Sequence, residues 1–223
     1  MRIAEEKRTV HVVGGLGDYI QMFVDNGWIG VDNVEDADLV QFCGGADVNP
    51  ALYGEDQHYT TNFSEERDTY ETVLYKLALL EKCAIAGICR GAQFVHVMNE
   101  GKLYQNVNNH AITNGHRAYI EVSRLVSLAP KGVQVSSTHH QMIRKSVGEV
   151  ILSACEATRK ETGKGTFEGH SPDIEAVFHE KSRSLCYQPH PEFFSKDHGC
   201  QRLYFDLIET LLFPYEEEEE DDG

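Results

Sequence analysis

The chain has 223 residues, 41% hydrophobic and 25% charged, with 36 acidic against 20 basic side chains and a formal net charge of −16. That length predicts one globular domain, placed at residues 1–214, and no apolar stretch approaches the roughly 20 residues that cross a bilayer, so no membrane partner is expected. The acid excess excludes a phosphate-backbone binder, which must present clustered Lys and Arg, so no nucleic-acid partner is expected either.

The start, "MRIAEEKRTV", lacks the apolar core of a secretory signal, which predicts a cytoplasmic chain. "TVHVV" (9–13) reads as a buried strand that runs into "GGLGD", and "YIQMFVDNGW" reads as a helix. "ADLVQF" (37–42) is a second strand closed by Gly44 and Gly45, and "ADVNPALYGE" is a loop punctuated by Pro50 and Gly54. From Ser64, a helix N-cap, Tyr70, Val73, Leu74, Leu77 and Ala78 recur at helical spacing to about Glu81. "CAIAGI" (83–88) is a short apolar strand and "AQFVHVMN" (92–99) a helix. The second half offers the strands "AYIEV", "GVQVSS", "EVILSA", "IEAVF" and "SLCYQ", then a closing helix over 200–212. This alternation predicts an α/β domain whose mostly parallel sheet is covered on both faces. The terminal "EEEEEDDG" is a like-charge block expected to stay disordered as a tail over 215–223, with docking to a basic partner as the sharper alternative.

Six scattered cysteines without a CxxC pair predict reduced thiols. One of them, Cys89, stands in "GICRG" between Gly87 and Gly91, where small neighbours permit a strained strand-to-helix turn. The amides of the following helix would favour a thiolate and an adjacent oxyanion, although the same pattern suits a buried structural thiol. A base is available about a hundred residues later in "YQPHPEFF", where two prolines hold His190 in a rigid loop with Glu192 two residues on. A thiol, an imidazole and an orienting carboxylate together make the apparatus of acyl transfer.

"GICRGAQ" with "QPHPE" resembles the class I glutamine amidotransferases. "GGADVNPALYGE" (44–55), "ERDTYE" (66–71), "GKLYQNV" (101–107), "STHHQ" (137–141) and "IEAV" (174–177) are similar to the peptidase C26-like γ-glutamyl hydrolases, the branch that includes γ-glutamyl-γ-aminobutyrate hydrolase. The resemblance implies a flavodoxin-like three-layer α/β sandwich with a nucleophile elbow. It implies Cys89 as nucleophile, His190 as base and acid, and Glu192 as the residue orienting the imidazole. The main-chain amides near Gly45 and of Arg90 would form the oxyanion hole. Gln93, otherwise a solvated helix residue, would hold the glutamyl group, and Ser137, His139, His140 and Gln141 would face the active site. The reaction implied is hydrolysis of a γ-glutamyl amide through a glutamyl thioester, without a cofactor. The alternatives are a glutaminase subunit feeding ammonia to a separate synthase, and a silent binding module; a synthase or a second copy of the chain is the macromolecular partner to consider.

The adjacent His139 and His140 could instead suggest a metal site, but neighbours in an extended segment point apart and no further ligand spacing accompanies them, so no metal is expected. Two departures stand out. The segment between the first strand and "CGGADV" leaves room for little more than one helix and a turn. Cys43 occupies the position before the glycine pair, where a buried structural thiol is the expectation and a second thiol near the pocket the alternative.

Overall fold

Short, β-branched and small-residue segments alternate with helices through the first half of the chain, and the backbone follows that pattern. The structure, a computed structural model, describes residues 7–14 and 17–214; the acidic run at 215–223 lies outside the described residues. In chain order, β1 (Thr9–Val13), α1 (Gly17–Asp25), β2 (Ile29–Gly30), β3 (Leu39–Phe42), α2 (Glu65–Leu80), β4 (Ala84–Ile88) and α3 (Arg90–Met98) come first. β5 (Lys102–Tyr104), β6 (Asn106–Val107), β7 (Ala111–Ile120), β8 (Val133–Thr138), β9 (Met142–Arg144) and β10 (Glu149–Ala154) follow. β11 (Arg159–Glu161), β12 (Thr166–Glu168), β13 (Asp173–His179), β14 (Ser184–Tyr187) and α4 (Gly199–Leu207) complete the chain.

The central sheet runs β2-β1-β3-β4-β14-β13-β10-β7-β8. Its first five strands are parallel, in the order of a flavodoxin-like sheet, and β13, β10, β7 and β8 extend it with antiparallel pairings. On β4 the side chains alternate: Ala84, Ala86 and Ile88 pack with Phe23 of α1 and Leu203 and Tyr204 of α4, while Ile85 packs with Tyr75 of α2 and Phe94 and Val95 of α3. Helices therefore cover both faces, and the domain is the expected three-layer sandwich. The short segment after β1 still supplies an edge strand, because the two residues of β2 pair with Thr9 and Val10.

The closing helix leaves α geometry after Leu207 and continues as a π-helical segment over Ile208–Leu212, and two further helices differ from expectation. α1 stops at Asp25 rather than Trp28, because Gly27 adopts a left-handed φ of 89° and the Trp28 amide turns back to Phe23 O at 3.1 Å. α2 starts as predicted, with Ser64 Oγ accepting the Arg67 amide at 3.3 Å, but presents a different face. Tyr70 and Val73 are 58% and 60% exposed, and the buried stripe is Asp68, Glu71, Tyr75 and Ala78. The two carboxylates turn inward because Arg90, 1% exposed, donates to both. Burial and the nearby Arg67 push the Arg90 pKa down while Asp68 pushes it up.

Removing one partner from a buried ion cluster typically costs about 3–5 kcal/mol, since the remaining charges lose their compensation. Arg90→Met, leaving Asp68 without its cation and Glu71 with Arg67 alone, should lower the urea unfolding free energy by that order, whereas Val73→Ala on the exposed face should change it by less than about 0.5 kcal/mol.

Candidate active site

Cys89 sits between the end of β4 and the first residue of α3, with φ 51° and ψ −112°. This is a conformation an L-residue rarely holds without support from its surroundings. Its amide donates to Tyr187 O at 3.0 Å and its carbonyl accepts the Gln93 amide at 3.1 Å, so the parallel neighbour β14 and the first helical turn fix the elbow from both sides. The flanking glycines have steric reasons. A methyl group at Gly91 would lie 2.2 Å from Phe42 O, and one at Gly87 would lie 2.4 Å from the Gly91 carbonyl.

β14 then delivers the base. The Gln188 amide donates to Glu175 O at 2.8 Å, and the His190 amide donates to Ser136 Oγ of β8 at 2.7 Å. The imidazole stacks on Phe193 with ring centroids 4.5 Å apart, and its Nδ1 meets Glu192 Oε1 at 2.5 Å. Burial pushes the His190 pKa down, but hydrogen bonds to Cys89 and Glu192 and the charges of both outweigh it and raise the pKa to about 10. Cys89 and His190 meet across Gly44, where an added methyl would lie 2.9 Å from His190 Cε1 and 3.6 Å from Cys89 Cβ. Glycine at 44 is what lets the two side chains share that space.

The backbone beside the thiol is also held. The Gly44 amide donates to Tyr19 Oη at 3.1 Å, so it is committed. Gly45 follows with φ 143°, in a region that favours glycine, directly under the Arg67 guanidinium. Arg67 Nη2 donates to Cys43 O at 3.0 Å and Gly44 O at 3.1 Å, and its Nε donates to Glu71 Oε1 at 2.7 Å. Cys43 itself is fully buried in the core layer under α1 and α4, and burial pushes its thiol pKa up, as suits a structural cysteine.

Gln93 is not solvated: it is 2% exposed, and its Nε2 donates to Gln141 O at 3.1 Å and Gln188 Oε1 at 3.0 Å. His139 and His140 point apart, as the extended segment requires. His139 is buried against Gln141 O at 2.8 Å, and burial lowers its pKa to about 4. His140 is part-exposed and lies 3.2 Å from Asp47 Oδ1, which raises its pKa. Ser137 turns away from His190, donating to His110 O at 2.6 Å. The structure thus brings Cys89, His190, Glu192, Gly45 and the first turn of α3 together, with Gln93 behind them, and sends Ser137 and His139 into an adjoining buried cluster. Sequence reasoning assigned no role to Tyr19, Arg67, Asp68, Glu71 or Ser136. For the two acids, the available signal was their i, i+3 spacing with Arg67 four residues before Glu71.

Among the described residues, no helix is long and apolar enough to cross a membrane. The family model for peptidase C26 matches residues 7–192. The glutamine amidotransferase-like protein YvdE of Lactococcus lactis is 28% identical over 77% of this chain and 72% of its own length. The glutamine amidotransferase-like protein RP404 of Rickettsia prowazekii is 36% identical over 74% of this chain and 73% of its own. Among solved structures, a glutamine amidotransferase from Thermotoga maritima superposes with a TM-score of 0.61 at 12% identity, over 92% of this chain and 84% of that one, a likeness of fold. The match across most of the chain, with the strained Cys89 and the His190–Glu192 pair inside it, makes this protein a member of the peptidase C26 family, on the glutamine amidotransferase fold.

Proposed function

We propose that the chain hydrolyses γ-glutamyl amides through a Cys89, His190 and Glu192 triad. The observation that carries this reading is the strained Cys89 facing an imidazole whose other nitrogen is held by a buried carboxylate at 2.5 Å. His190 holds the proton drawn from the thiol as an imidazolium, and the thiolate sulfur attacks the γ-carbonyl carbon of the substrate. The amides of Gly45 and Arg90 stabilise the resulting oxyanion, since the Gly44 amide is spent on Tyr19. Collapse breaks the C–N bond as His190 returns its proton to the departing amine. Water, deprotonated by His190, then cleaves the thioester to glutamate and the free thiol. Gln93 backs the glutamyl subsite, and His140 with Asp47 stands at its rim. Ser137 and His139, both turned inward, support the 137–141 loop rather than touch substrate.

Purified protein given glutamine and a panel of γ-glutamyl amines should release glutamate, and Cys89→Ala should abolish the release. Glutamine turnover that rises only when a synthase is added would instead make the chain an ammonia-supplying subunit. A Cys89 that iodoacetamide does not alkylate in preference to the other thiols would make it a silent binding module. Gly45→Ala, strained at its φ and pressed against Arg67, should lower kcat by about 10²–10³, the usual loss for one oxyanion donor.

The raised His190 pKa sets a pH window. The imidazole keeps the proton that the leaving amine needs until the pH rises through about 10. Glu192 is one of the two groups raising that value, so in Glu192→Gln the alkaline limb of kcat/KM should move to lower pH, read from its pH profile.

A further inference from the structure

The antiparallel half of the sheet buries a second group of titratable side chains that this reaction does not use. His110, just before β7, His116 within β7 and Glu175 on β13 each offer one ligand atom, and these atoms lie within 4.8 Å of one another. His116 sits where the β7–β8 pairing is interrupted between Ile112 and His116, and Gly115 in that gap has φ 60°. That irregular turn brings His110 and His116 onto one carboxylate: Glu175 Oε1 is 2.9 Å from His116 Nε2 and 3.6 Å from His110 Nδ1.

Both nitrogens of His110 meet polar partners. Asp173 Oδ2 lies 3.1 Å from His110 Nε2 and also accepts the amides of Glu156 at 2.5 Å and Ala157 at 2.9 Å. Lys160 Nζ, 2.7 Å from Asp173 Oδ1, keeps that carboxylate anionic. His110 Nε2 therefore carries a proton and donates it to Asp173. His110 Nδ1 lies 3.2 Å from Ser137 Oγ and 3.6 Å from Glu175 Oε1. The Ser137 hydroxyl donates its proton to His110 O at 2.6 Å.

The second carboxylate oxygen, Glu175 Oε2, is buried without a partner. Asp173 is compensated by Lys160, and no Lys or Arg pairs with Glu175 among the described residues. Burial pushes the His116 pKa down, but the hydrogen bond and charge of Glu175 outweigh it, so either that imidazole proton or a metal cation balances the buried carboxylate. His139, whose ring lies 4.9 Å from that of His110, lines the same compartment with its Nε2 buried and unpartnered.

We propose that His110 Nδ1, His116 Nε2 and the Glu175 carboxylate bind a divalent transition-metal ion of the zinc class. Two imidazoles and one carboxylate are a donor set such ions favour; bonds of about 2.0–2.2 Å put tetrahedral ligand atoms about 3.3–3.6 Å apart, against 2.9 and 3.6 Å from Glu175 Oε1 to the two imidazoles and at most 4.8 Å between any two ligand atoms. The carboxylate of Asp173 behind His110 is the outer partner that orients a metal-bound imidazole. The ion ties β7 to β13 at the sheet irregularity. It also lies next to the 137–141 loop, where Gln141 O meets both His139 Nδ1 and Gln93 Nε2. The site is structural, and the proposal stands apart from the reaction at Cys89.

Chelator-treated full-length protein should bind one equivalent of Zn²⁺, and Co²⁺ in its place should give a visible ligand-field absorption band. His116→Ala and Glu175→Gln should lose the band, Cys89→Ala should keep it, and Asp173→Asn should weaken binding by about 10–100-fold. A wild-type chain that takes up no stoichiometric metal overturns the proposal and leaves an imidazole proton as the charge that compensates Glu175. This titration decides the matter even if the variants fail to fold. Binding that survives His116→Ala, or disappears in Cys89→Ala, also overturns it by moving the ion to other ligands.

Discussion

The guanidinium of Arg90 lies directly behind the candidate nucleophile, and the geometry of the site follows from how it is neutralised. Arg90 is the first residue of α3 and Cys89 the residue before it, so fixing Arg90 fixes the elbow. Asp68 and Glu71 of α2 take its charge. Glu71 also holds Arg67, and Arg67 in turn holds the carbonyls of Cys43 and Gly44. One chain of ion pairs therefore sets the distance between the nucleophile and the glycine turn that faces it. Such a cluster adds little net stability compared with apolar packing, but it is costly to break and permits few alternative arrangements. That property suits a site whose backbone must keep a strained conformation at Cys89.

The sheet divides the work. The parallel half brings the nucleophile, since Cys89 continues β4 and the glycine turn continues β3, at the same ends of adjacent strands. The base arrives from β14, the last parallel strand, where the chain turns from parallel to antiparallel pairing. Pro189 and Pro191 end that strand, and Ser136 of the distant β8 captures the His190 amide. The antiparallel half thus reaches into the site without supplying its reactive groups. It holds the loop of His190 from outside, and its own polar interior, from Gln141 through His139 to His110 and Glu175, packs behind the site.

Much of this was legible in one dimension. The strands over 9–13, 84–88 and 184–187, the cap at Ser64 and the elbow at Cys89 follow from local chemistry: β-branched runs, a side-chain oxygen at a helix start, and glycines flanking a cysteine. His190 and Glu192 were legible because two prolines fix the loop that carries them. The buried face of α2 was not. Helical spacing marked Tyr70 and Val73 as inward, but an apolar stripe and a carboxylate stripe compete for the same interior, and the position of Arg90, 22 residues after Asp68, decided between them. Gln93 likewise reads as a surface residue until Gln141 and Gln188, which receive its amide, are folded against it.

The sequence by itself determined the class of fold, the order of its elements and the residues able to carry thiol chemistry, because these depend on periodicity and on backbone preferences within a few positions. Only the tertiary structure decided which polar groups face each other: Tyr19 on the Gly44 amide, Arg67 over Gly45, and His110 and His116 on Glu175. Those pairings join residues 22 to 65 positions apart, and their energies come from burial and from charge compensation. Neither exists until the sheet has closed and its layers have packed.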